Sequence, residues 1–299
     1  MNTVDQPLQP AVQLKNVLLA MDSSPGALIA FPFAASIARH YDGRLLLEHV
    51  GPVEDAADHR GRSQSDLNEM QSAIKAALNM TGERLDDIPY EMLFDHGNIC
   101  SRLLATAEER GMDLIVVGTY GLRGVKKLLK GSTAEEIVFL ARCPVLTAGP
   151  KVDRLPHFRR ILCATDLSPA AKSTMPYAFS LAEIYDASLV FLHVNDWSSS
   201  EPPVQARPKT IEFVHEQLRK FSHAAAMEAR CQVVVDYGPS SDLILEAATN
   251  HEADLIVMGR PPIHGVRARI ASHLPGSTAY DVIAQAPCPV LSVPLPRAS

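Results

Sequence analysis

The stretch GTYGLRGVKKLLKGST, residues 118–133, gathers the residue types that hold an anion. Gly118, Gly121 and Gly131 let main-chain N–H groups approach a ligand with no side chain between. Ser132 and Thr133 add hydroxyls where an apolar, helix-patterned run begins. A helix start presents unpaired N–H groups and the positive end of its dipole, which suits phosphate. Arg123, Lys126, Lys127 and Lys130 supply charge against a polyphosphate. A plainer reading stays open beside this one. Ser132-Thr133-Ala134-Glu135 is a good capping box, and Gly118 and Gly121 can be turn glycines. The stretch is neither the G-x-G-x-x-G dinucleotide fingerprint nor the P-loop pattern. No G-x-S-x-G elbow, H-E-x-x-H zinc motif or kinase signature accompanies it. No catalytic residue and no metal ligand is therefore named.

The elements around the stretch place it at a ligand-binding position. DLIVVG, ending at Gly118, reads as a buried strand, and TAEEIVFLA, from Thr133, as a helix. A loop leaving the carboxyl end of a parallel strand opens on the crevice where open α/β sheets bind ligands. Upstream, NVLLAM, RLLLEHV and PYEMLFD read as strands, and CPVLTA as a fifth. The runs from 24–41, 67–85 and 98–111 carry helical spacing, and residues 51–66 read as a polar loop. Asp22 and Ser23 are possible caps for the first helix, and His49 closes the second strand.

The whole pattern then repeats. Asp22 and His49-Val50 recur 144 residues on as Asp166 and His193-Val194; the DLIV of residues 113–116 recurs 141 on; Gly131-Ser132-Thr133 and the final CPVL recur 145 on. The chain is a tandem duplication of a unit of about 145 residues, with domains expected at 1–150 and 151–299 and a short linker rich in Pro and Gly. Alternating strands and helices imply two doubly wound parallel five-stranded sheets with helices on both faces.

Gly118-x-x-Gly121, nine residues, then Gly131-Ser132 resembles the G-2x-G-9x-G-[S/T] nucleotide loop of the universal stress protein family. The aspartate after the first strand (AMDSS, ATDLS), the His-Val of the second strand and the final Cys-Pro-Val-Leu carry the likeness over both halves. The resemblance implies ATP binding, with Mg²⁺, in an α/β fold of the adenine nucleotide alpha hydrolase kind. It implies that Asp22 and the Val50 main chain hold adenine and ribose, and that Gly118, Gly121, Gly131, Ser132 and Thr133 surround ribose and phosphates. It also implies that the last strands, VLTA and VLSV, pair within the chain as a pseudo-dimer; a homodimer is a further possibility.

The second half keeps Asp166, Val194, Gly259, Gly276 and Ser277. Its loop is longer, and Pro262 stands where Gly121 stands in the first half, removing an N–H donor. Arg260, Arg267 and Arg269 keep it basic. The first half is expected to be the better ATP site. The expected function is an ATP-binding stress-response or regulatory protein of the cytoplasm. The rival readings are a slow ATPase or autophosphorylating enzyme, and an interaction module without ligand.

Composition agrees. The net charge of −6 gives no long-range pull on nucleic acid or anionic membrane. No apolar run approaches the roughly 20 residues of a membrane span, and the polar start reads as a loose tail rather than a signal peptide. Five cysteines without a C-x-x-C fit reduced, mostly buried thiols.

Overall fold

The computed structural model describes residues 12–22, 24–51, 59–81, 85–119, 133–152, 156–167, 173–195, 206–219, 230–260 and 277–294. In the first half the strands are β1 (Asn16–Ala20), β2 (Arg44–Gly51), β3 (Tyr90–His96), β4 (Leu114–Gly118) and β5 (Val145–Ala148). The helices are α1 (Pro25–His40), α2 (His59–Thr81), α3 (Ile99–Glu109) and α4 (Thr133–Leu140). The second half repeats the order with β6 (Arg160–Thr165), α5 (Met175–Ile184), β7 (Ser188–Asn195), α6 (Ala206–Arg219), β8 (Cys231–Tyr237), α7 (Ser240–Asn250), β9 (Leu255–Arg260), α8 (Thr278–Gln285) and β10 (Val290–Pro294).

Each half forms the expected parallel sheet, in the order 3-2-1-4-5. The two join where β5 and β10 pair antiparallel, Leu146 opposite Leu291, giving one ten-stranded sheet. Alternation along the buried strands splits the core in two. Val17 and Leu19 point to the layer of α1, α2, α5 and α6, while Leu18 points to that of α3, α4, α7 and α8. The aspartate of the repeated DLIV pins the neighbouring strand. Asp113 accepts the Asn16 N–H (2.8 Å) and Asp254 the Arg160 N–H (3.0 Å).

Two expectations are corrected. The cap of α1 is Ser24, whose hydroxyl accepts from the Ala27 N–H (3.2 Å), rather than Asp22, and Ser23 lies outside the described residues. Pro25 has no N–H and a φ preset for the first helical position, so the helix begins there and the residue before it caps. And α2 starts at His59, inside the stretch expected to be loop. Residues 59–66 are polar throughout, so no apolar periodicity announced that turn. The first ten residues and the loop residues 120–132 and 261–276 lie outside the described residues.

Candidate functional site

The order 3-2-1-4-5 reverses direction between β1 and β4, so the crevice lies beyond their carboxyl ends. The register brings the expected residues there. Ala20 pairs with Glu48 and Leu19 with Val116. Two residues further on, Asp22 comes level with Val50, and Gly118 with Met21. The floor opens at the same level: Ala20, Val50 and Gly118 are half-buried, while the middle of β1 and β4 is fully buried.

Strand lengths leave main chain for a ligand to read. β2 runs three residues beyond its partner β1. Glu48 gives its carbonyl to the Met21 N–H (2.8 Å) on the β1 side. Two residues on, Val50 turns its own N–H and C=O the same way, past the end of β1. Asp22 stands at this gap, with Oδ1 accepting the Ser24 N–H (3.0 Å).

A histidine braces the gap in each half. His49 donates through Nδ1 to the Met21 carbonyl (3.0 Å), and His193 likewise to the Thr165 carbonyl (2.9 Å). These are strand-end histidines, as their sequence positions suggested. Among the described residues no group of three His, Cys, Asp or Glu is placed to hold a metal.

Gly118 has a packing role of its own. A β-carbon there would lie 2.1 Å from the Gly26 carbonyl carbon, so the start of α1 can lie over the end of β4 only because residue 118 is glycine. Thr133 opens α4, directly after the loop. Glu135, the acid of the proposed capping box, is buried on the first turn. Gly121, Gly131 and Ser132 lie outside the described residues.

In the second half Asp166 follows β6 and comes level with Val194, while Gly259 comes level with Thr165. Ser277 caps α8, its hydroxyl accepting the Tyr280 N–H (3.2 Å). Gly276 lies outside the described residues.

Arg260 departs most from its expected place. Its sequence position suggested charge for the second loop, yet its side chain is 2% exposed and lies across the junction of the halves. Nη1 donates to the Phe139 carbonyl (3.1 Å), and Nη2 donates to the carbonyls of Ala141 and Cys143. Burial pushes its pKa down to about 10, with neighbouring Cys143 opposing the shift. The first-half residue at this position is Thr119, which stays on its own side: its N–H donates to the Ala148 carbonyl (3.0 Å).

Beneath Val50 lies a polar pair that the sequence reading missed. Glu48 is 1% exposed, and its Oε1 accepts the Thr106 hydroxyl (3.1 Å). Oε2 is buried with no hydrogen-bond partner. Burial raises the carboxyl above its ordinary range, more than the Thr106 hydrogen bond lowers it. The matching residues of the second half are Leu192 and Ala247, and that contrast was the available signal.

All five thiols are unbridged, and Cys100, Cys163 and Cys288 are buried. No helix among the described residues is long and apolar enough to cross a membrane.

Comparison with known proteins agrees with this fold. The model of the universal stress protein family matches the chain twice, at residues 13–148 and 157–294. A universal stress protein of Methanocaldococcus jannaschii is 31% identical over 138 residues, covering 44% of this chain and 80% of that protein. One from Thermus aquaticus is 33% identical over 136 residues, covering 44% of this chain and 96% of its own. Among solved structures, a universal stress protein from Archaeoglobus fulgidus covers 94% of this chain and 98% of its own at 20% identity, with a TM-score of 0.70. A putative universal stress protein from Pseudomonas aeruginosa covers 96% and 94% at 18% identity, with a TM-score of 0.62. These last two likenesses speak for the fold. With both halves matched along nearly their whole length, the chain belongs to the universal stress protein family.

Proposed function

We propose that the chain binds ATP, mainly in its first half, and that this binding serves a stress-response or regulatory role in the cytoplasm. The observation that carries the reading is the gap beside β1. The Val50 main chain faces past the strand end with Asp22 on one side and Gly118 close by. An outward N–H and C=O on one residue match the donor-and-acceptor edge of a purine. Asp22 Oδ2 suits a ribose hydroxyl. Gly118, Gly121, Gly131, Ser132 and Thr133 then take ribose and phosphates, with the start of α4 facing the negative charge. Mg²⁺ bound with the nucleotide would neutralise phosphate oxygens and need few protein ligands, which fits a crevice where, among the described residues, no group of three His, Cys, Asp or Glu is placed to hold a metal.

The second half offers Asp166, Val194, Gly259, Gly276 and Ser277 to a weaker site. Pro262 removes one donor from its loop, and Arg260 is turned away from it.

Isothermal titration of the full chain with ATP tests the reading. Binding that Gly131→Val abolishes while the thermal midpoint stays put supports it. No heat of binding in the unaltered chain, or equal affinity in the variant, overturns it.

A further inference from the structure

The junction of the halves is built twice over. Ser36 donates to the Pro156 carbonyl (2.7 Å) and accepts from the Tyr185 hydroxyl (2.9 Å). Ser180 donates to the Val12 carbonyl (3.1 Å) and accepts from the Tyr41 hydroxyl (2.8 Å). Each of the three partners is displaced by 144 residues from its twin. The symmetry breaks at the heads of the two loops, where Thr119 and Arg260 correspond. Thr119 bonds within its own half, whereas Arg260 crosses over and seats its guanidinium on the Phe139 carbonyl in the last turn of α4 and the Ala141 carbonyl just past the helix end. The matching end of α8 receives an exposed lysine instead, Lys151 Nζ to the Gln285 carbonyl (3.3 Å).

We propose that Arg260 is a positioning residue for the first half's nucleotide site: the second half supplies a buried cation that holds the carboxyl end of α4 and, along that helix, favours anionic charge at its opposite end. The inference rests on the ATP reading above. Its physics is independent of the loop's conformation. Helix α4 has eight residues and so spans about 12 Å. Its final carbonyls are the negative end of its dipole, and a cation there is stabilising. Among the described residues, no carboxylate forms an ion pair with Arg260, so its charge is not cancelled locally. It lies inside the protein, where salt screens it little. A phosphate group at the start of α4 therefore feels both the dipole that Arg260 supports and Arg260 itself. The second loop, whose first residue is thus turned inward, keeps less charge for a ligand of its own.

The test uses two ligands that share a base and sugar but differ in charge. ATP and adenosine are titrated into the full chain, into Arg260→Met, which keeps the apolar stem and loses the charge, and into Arg260→Lys. The expected result is that Arg260→Met weakens ATP about threefold or more while adenosine changes little, and that Arg260→Lys restores the ATP preference. A residue with a merely structural role would weaken both ligands equally. An unchanged ratio of the two affinities in folded Arg260→Met overturns the inference alone. Should that variant not fold, a folded Arg260→Lys that has lost the ATP preference does the same. If the unaltered chain binds no ATP, the parent reading falls and takes this one with it.

Discussion

At the residue scale, Glu48 and Gly118 show two ways in which a crevice is built from below. Glu48 is a buried carboxyl whose neutral form the fold prefers. Its stabilising contribution is present below the ordinary carboxylate pKa and is lost as pH rises through the raised value, because the folded protein must then ionise a buried acid. Glu48→Gln is accordingly expected to raise the thermal midpoint by roughly 2 °C at pH 8 and to leave it unchanged at pH 4, as read by circular dichroism. Thr106→Ala alone removes the donor to a buried oxygen and should cost about 1–3 kcal/mol. Glu48→Leu combined with Thr106→Ala imports the second half's own pair and should recover that loss, since two matched apolar groups leave nothing unsatisfied. Gly118→Ala forces a methyl group into the Gly26 main chain. It should cost about 1–3 kcal/mol in chemical denaturation even without nucleotide. The sequence pointed to Gly118 through loop spacing, whereas its contact with Gly26, ninety-two residues upstream, has no local signature. Arg260 misled for a related reason. Sequence places it at the head of a basic loop, and only the pairing of β5 with β10 brings the end of α4 within its reach.

Among the elements, β1, β4 and β5 were legible because burial writes them as short apolar runs, β2 and the edge strand β3 mix polar residues in, and every strand of the first half lies within two residues of its expected bounds. Helix starts were less so. The hydroxyl of Ser24 and that of Ser277 do the same work at α1 and α8, yet the nearby Asp22 pointed to a cap two residues too early. Replacing either serine by alanine should cost about 1 kcal/mol; urea titration checks both. Ser277→Ala should leave ATP affinity intact if the nucleotide sits in the first half. One proline plays two parts. Pro32 lies inside α1, while its twin Pro176 sits in the first turn of α5, where a missing N–H costs nothing. The same unit thus gives a sixteen-residue helix in one half and a ten-residue helix in the other.

For the whole molecule, the duplication read from the sequence becomes a physical symmetry. The Tyr41–Ser180–Val12 and Tyr185–Ser36–Pro156 sets share no member, so Tyr41→Phe and Tyr185→Phe should each cost about 1 kcal/mol and their effects should add in the double variant. Markedly unequal costs in thermal unfolding would mean that the halves are not held alike. Aromatic packing supports the same junction: Phe33 stacks on Phe158 at 6.0 Å, and Phe158 lies 4.8 Å from Tyr185. Beyond the Glu48–Thr106 pair and the lengths of α1 and α5, the symmetry breaks at the loops, where Pro262 replaces Gly121 and Arg260 replaces Thr119. A balanced fold carrying unbalanced loops points to one principal site. Equilibrium dialysis of the full chain against labelled ATP measures that most directly. The expected result is one nucleotide per chain at saturation of the tight phase, lost in Gly131→Val and kept in Gly276→Val. Two equivalent nucleotides per chain, none at all, or a bound nucleotide that survives Gly131→Val would contradict it.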